Sequence, residues 1–128
     1  MSHFSQIKTQ IRNLPALESA LADLELPYKA GPHPVRGYQG QTQTAEVVIE
    51  QENGYDIGFS KQGEAYELVA DMDFWAQNWS VNRFLEKVTQ RYAYHTVVST
   101  TADQGFQVTE QKENADGTIQ LVVQRWSS

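Results

Sequence analysis

The chain has 128 residues, a formal net charge of −6, a sequence pI near 4.9 and no cysteine. That length is most simply one domain, large enough to fold without a disulfide or metal staple. The acidic balance argues against a chain-wide nucleic-acid surface; the lack of cysteine excludes thiol nucleophiles and Cys-held iron–sulfur or zinc sites; no apolar run approaches the roughly 20 residues of a membrane span.

Met1 to Ile11 reads as a strand carrying Phe4 and Ile7. Asn13 is a good N-cap and Pro15 suits a first helical turn, where its missing N–H is no loss. Leu14, Leu17, Leu21 and Leu24 then form the apolar stripe of an amphipathic helix that Pro27 ends. Residues 31–44, with Gly31, Pro32, Pro34, Gly37 and Gly40, read as a long loop. Its centre, Val35 to Gln41, reads as a tight turn that needs positive φ.

A meander follows. Ala45, Val47 and Ile49 alternate with Glu46, Val48 and Glu50, as in a half-buried strand. Asn53-Gly54 is a hairpin signal. Tyr55, Ile57 and Phe59 give the next inward face, Lys61 to Glu64 turns the chain, and Tyr66, Leu68 and Ala70 make a third strand. Asp71 to Trp79 is irregular, acidic and aromatic. Ser80 caps the strongest helix, whose stripe is Val81, Phe84, Leu85, Val88, Tyr92, His95 and Val98; the pattern runs to about Asp103 and Gly105 stops it. A second hairpin closes the chain: Phe106 and Val108, a turn at Asn114 to Gly117, then Ile119, Leu121 and Val123. The expected class is α+β: an antiparallel sheet with two helices packed on one face. A ferredoxin-like βαββαβ core with an extra strand is one topology that fits.

Arg83, Lys87 and Arg91 share one ridge of the long helix at i, i+4 and i+8. They read either as a docking ridge for an acidic partner or as a solvated helix face. Trp75 and Trp79 read as a protein-binding loop if exposed and as a lid on the core if tucked in. A second grouping takes Arg36 and Tyr38 from the glycine turn with Arg91, Tyr94 and His95, around a pocket between residues 35–41 and the long helix. Such a pocket would suit a small anionic ligand or acid–base chemistry, although His95 also falls on the apolar stripe. Glu46, Glu50 and Glu67 read as the solvent side of the sheet. His3, His33 and His95 lack metal-ligand spacing, so no metal site is expected. No complete catalytic motif is present, no catalytic residue is assigned and no cofactor is implied.

Several segments together resemble the hypothetical chloroplast reading-frame thirty-five family of cyanobacteria and algal plastids. They are Met1 to Ser5 with Ile7-Lys8-Thr9, Val35 to Gly40, Asn53 to Phe59, Tyr66 to Asp71, Thr89 to His95, and Arg125-Trp126. Residues 72–80 and 107–117 fit the pattern less well. The resemblance implies a cyanobacterial cytoplasm or plastid stroma, and a genomic neighbourhood that often holds a small ferredoxin-type protein. It implies no reaction, cofactor or catalytic residue. The resulting expectation is a non-enzymatic protein-binding or assembly factor, with an acidic ferredoxin-type protein as one partner. A ligand-binding protein or enzyme using the Arg36–His95 pocket is the alternative.

Overall fold

The computed structural model describes residues 3–125. Met1, Ser2 and Trp126, which contribute to the motifs above, lie outside the described residues. The strands are β1 (Phe4–Lys8), β2 (Lys29–Arg36), β3 (Thr42–Ile49), β4 (Ile57–Gln62), β5 (Ala65–Asp71), β6 (Phe106–Glu113) and β7 (Ile119–Arg125); the helices are α1 (Leu14–Asp23) and α2 (Val81–Asp103). The first five strands form one antiparallel sheet in the order β1-β5-β4-β3-β2, while among the described residues β6 and β7 pair only with each other. The α+β class is as expected. The ferredoxin-like topology is not what forms: β1 and β2 sit at opposite edges, and the strands after α2 stand apart from the main sheet.

Helix boundaries follow local chemistry. The Asn13 side chain accepts from Ala16 N at 3.0 Å, with Pro15 in the first turn. At the other end Glu25 N donates to Ala22 O and Leu26 N to Leu21 O, with Glu25 left-handed at φ 57°. This is a Schellman stop with glutamate where glycine is usual. Ser80 caps α2 by accepting from Arg83 N at 3.2 Å.

The main core lies between the sheet and the helices. Leu17 and Leu21 of α1 and Phe84 and Val88 of α2 pack on Val47, Ile57, Phe59 and Leu68, all at 0% exposure. Each such side chain contributes on the order of 1.5–3 kcal/mol of burial.

Residues 31–44, expected as a loop, instead contain most of β2 and the start of β3. Pro32 and Pro34 are tolerated because β2 is an edge strand, whose outer side needs no N–H, and a register shift falls between Ala30 and His33. Positive φ in the following turn falls on Gln39 and Gly40.

The helix-free face of the sheet is not bare. Val35, Ala45 and Val48 form a second buried cluster there, with Phe4 packed against it. The sheet curls enough for its two edges to approach: a Cβ on Gly37, just after β2, would lie 2.5 Å from the Phe4 ring of β1. Gln6 Nε2 donates to Gln43 Oε1 at 3.3 Å across the same gap. Gly58 of β4 lies under Val35 and Ala45, leaving no room for a Cβ. Val48 is therefore buried on the face that simple alternation assigns to solvent.

Candidate functional site

Two of the sequence motifs meet at the end of β2. Asp56 is 2% exposed. It accepts from Arg36 Nε at 2.8 Å, Arg36 Nη2 at 2.8 Å and Arg36 backbone N at 2.9 Å. The carboxylate beside it raises the already high guanidinium pKa further. Glu50 lies 3.6 Å from the same guanidinium and also pairs with Lys29. These residues and His33 line a cavity of about 210 Å³. Beside it Tyr55 stacks on Phe74 at 3.9 Å and Tyr38 stacks on Phe74 at 5.8 Å.

Gln51 ties this corner to the 71–77 segment. Its amide donates to Tyr55 O and Phe74 O, while its carbonyl accepts from Ala76 N and Gln77 Nε2. Asp56 and Gln51 were not singled out from the sequence. The Asn-Gly turn between them drew attention to itself rather than to its flanks, and nothing local marks either side chain as buried.

On α2, His95 and Arg91 converge on Asp23, which no local signal in the sequence marks. Asp23 Oδ2 accepts from Arg91 Nε at 2.8 Å, Arg91 Nη2 at 2.6 Å and His95 Nε2 at 2.6 Å. Burial alone would raise the Asp23 pKa, but the hydrogen bonds from His95 and Arg91 outweigh it and hold the group below its usual value. Tyr94 packs edge-on to His95, and its ring lies under the Arg91 guanidinium at 4.5 Å. His95 also lines a cavity of about 400 Å³ with Ser19, Thr96 and Ser99.

Arg91, Tyr94 and His95 are thus brought together. Arg36 and Tyr38 make their contacts with Asp56 and Phe74, and Arg36 and His95 line different cavities.

Arg83, Lys87 and Arg91 line one cleft of about 260 Å³ with Gln90, between α2 and residues 113–119 of the hairpin. Arg83 is braced by Glu86 at 2.8 Å and Arg91 by Asp23. Lys87 Nζ instead sits over the Trp79 ring, 5.0 Å from its centroid. Trp75 donates its indole N–H to Trp79 O at 2.8 Å and meets Phe84 edge-on. Both tryptophans are half-buried against the main core. Neither is fully exposed or fully buried, and Trp79 presents its ring to Lys87.

No group of three or more metal-ligating side chains converges among the described residues. Nor is any described helix long and apolar enough to cross a membrane.

These features define an α+β domain whose charged side chains gather at surface clefts. The chain belongs to the family described as Protein of unknown function (DUF1257), whose model matches residues 20–122. It is similar to proteins named "Uncharacterized protein ycf35". The identity is 45% for the one from Guillardia theta and 41% for that from Cyanophora paradoxa, each match covering 98% of both chains. It is 39% for the one from Pyropia yezoensis, covering 99% of both. These relatives come from algal plastid genomes. No solved structure matches the chain.

Proposed function

We propose that this chain is a non-enzymatic protein-binding or accessory factor of photosynthetic cells, docking an acidic protein surface through the α2 face that carries Arg83, Lys87 and Arg91. The observation that carries the reading is the shared cleft of these three cations beside the 113–119 turn. Two of them are braced by carboxylates, and the ammonium of the third rests on an aromatic face, so their positions are set before a partner arrives. Pre-set charge favours fast, salt-sensitive encounter over deep burial. Algal plastid relatives support the photosynthetic setting.

The test is co-purification of the tagged chain from a photosynthetic extract at low and high salt, alongside Arg83→Glu/Lys87→Glu. A purified acidic ferredoxin-type protein serves as a defined probe. Arg91 is left intact because reversing it would set two carboxylates against each other at Asp23. A stoichiometric acidic protein, released by salt and absent from the variant, is the expected result. Recovery of the chain alone under both conditions overturns the reading.

A further inference from the structure

We propose that β7 is a docking edge for a second copy of this chain, pairing antiparallel with its counterpart about a two-fold axis at Val122. The result is a four-stranded sheet in the order β6-β7-β7-β6.

Among the described residues the two sheets end in four outer strands, β1, β2, β6 and β7, and three of these edges are protected. β2 carries Pro32, Pro34 and a register shift. β1 is five residues long and ends on Lys8. β6 carries Glu110, Lys112 and Glu113 and a bulge between Val108 and Glu110. Short length, proline, charge and bulges are the usual means of stopping an edge from recruiting another strand. β7 is seven residues long, has no proline and no extra residue in its pairing with β6, and like β1 carries a charge only at its end. Its sequence, Ile-Gln-Leu-Val-Val-Gln-Arg, also lacks glycine. Val122 and Val123 are also 51% and 41% exposed. A ribbon of two strands is marginal in water and gains from further strands.

The strand is self-complementary, which points to a second copy as the occupant. With Val122 on the axis, Val122 faces Val122, Leu121 faces Val123, and Gln120 faces Gln124. Arg125 meets the apolar Ile119, so no like charges are opposed. Directly opposite residues share a face in an antiparallel pair. The register therefore sets Leu121 and Val123 against Val123 and Leu121 of the second copy, with Ile119 on the same face opposite Arg125. A slip of one residue puts Ile119 opposite Gln124 and Gln120 opposite Val123, setting apolar rows against polar ones. At about 3.4 Å per residue the seam is short, so assembly is expected to depend on concentration.

The salt response separates this surface from the basic ridge. The seam holds almost no charge, and two copies each at −6 repel weakly at long range. Salt therefore preserves or strengthens self-association, whereas it weakens docking of an acidic protein.

The experiment is sedimentation velocity on the full chain over a wide concentration range, at low and high salt, with Val122→Lys as the disrupting variant. Val122→Lys is expected to weaken dimerisation at least tenfold by opposing two ammonium groups on the axis. Because the chain has no cysteine, Val122→Cys gives an independent reading under mild oxidation. Opposed Cβ atoms at about 4.5–5.5 Å approach disulfide geometry, so this variant forms a covalent dimer and Gln111→Cys on β6 does not. The crosslink decides the matter should Val122→Lys disturb the ribbon. A wild-type chain monomeric at every concentration, a dimer indifferent to Val122→Lys in a folded protein, or equal crosslinking by both cysteine variants overturns the proposal.

Discussion

Arg36 and Asp56 close a reciprocal ring. The Arg36 backbone N–H and guanidinium donate to the Asp56 carboxylate, and Asp56 N donates back to Arg36 O at 3.0 Å. The pair fastens the end of β2 to the start of β4, strands that are not neighbours in the sheet. The carboxylate is the buried member: the Asp56 side chain is 1% exposed, whereas the Arg36 side chain is 48% exposed. Asp56→Asn keeps the shape, removes the charge and misplaces a donor, so it is expected to destabilise by roughly 1–3 kcal/mol. Arg36→Ala leaves the carboxylate without its cation and costs more than Arg36→Lys, which keeps charge but loses the bidentate fork. Urea unfolding of the three variants checks the order. Equal stability for all three would show that water replaces the arginine without loss.

Much of this fold is legible in residue order, and the departures have particular causes. Asn13, Ser80 and the 114–117 turn act where their local chemistry says they should, because caps and turns depend on near neighbours. β2 was hidden because an edge strand with two prolines carries loop composition. Alternation assigns Val48 to solvent because it presumes one covered face, and here the sheet's own curl covers the second. At the candidate sites the cations were visible as a helical ridge, but their carboxylates were not. Asp23 lies 68 residues from Arg91, and Asp56 lies 20 from Arg36. Neither separation has a local signature.

Asp23 sits in the last turn of α1, where a negative charge opposes the helix dipole. Arg91 and His95 reverse that penalty, and the depressed pKa gives the sign of the pH dependence. An unfolded chain binds a proton at Asp23 more readily than the folded one. The pair's contribution is therefore fully present above the ordinary carboxylate range and is lost as pH falls through the lower folded value. With its side chain 29% exposed, Asp23 is worth about 1 kcal/mol or less after solvent screening. Asp23→Asn should trail the wild type by that amount at neutral pH, with the gap closing in acid. A gap that widens in acid would contradict the assignment.

Glu25 occupies the left-handed position of the α1 stop at φ 57°, where a side chain is strained and glycine is not. Among the described residues, no hydrogen bond to its carboxylate offsets this in the way the Asn13 cap does at the other end. Glu25→Gly is expected to stabilise the fold by about 0.5–1 kcal/mol, read as a rise in the thermal midpoint. A fall would mean that glycine's added freedom in the unfolded chain outweighs the relieved strain.

Gly58 tests the second core most sharply. A Cβ built there would collide with Val35 Cγ2 and lie 2.9 Å from Ala45 Cβ. The Val35 segment is also held by the Arg36–Asp56 ring, so it cannot simply lift away. Gly58→Ala is therefore an overpacking change, expected to cost about 1–3 kcal/mol. The compensating change is at Val35: Val35→Ala alone opens a void under the curled edge and also destabilises. Combined with Gly58→Ala, it makes room for the new methyl, so the double variant should be more stable than the sum of the single losses predicts. A double-mutant cycle by urea unfolding measures this coupling, whose sign is the decisive quantity. Strict additivity would mean that β2 does not press on β4, and that the helix-free face is covered more loosely than the Val35–Gly58 contact requires.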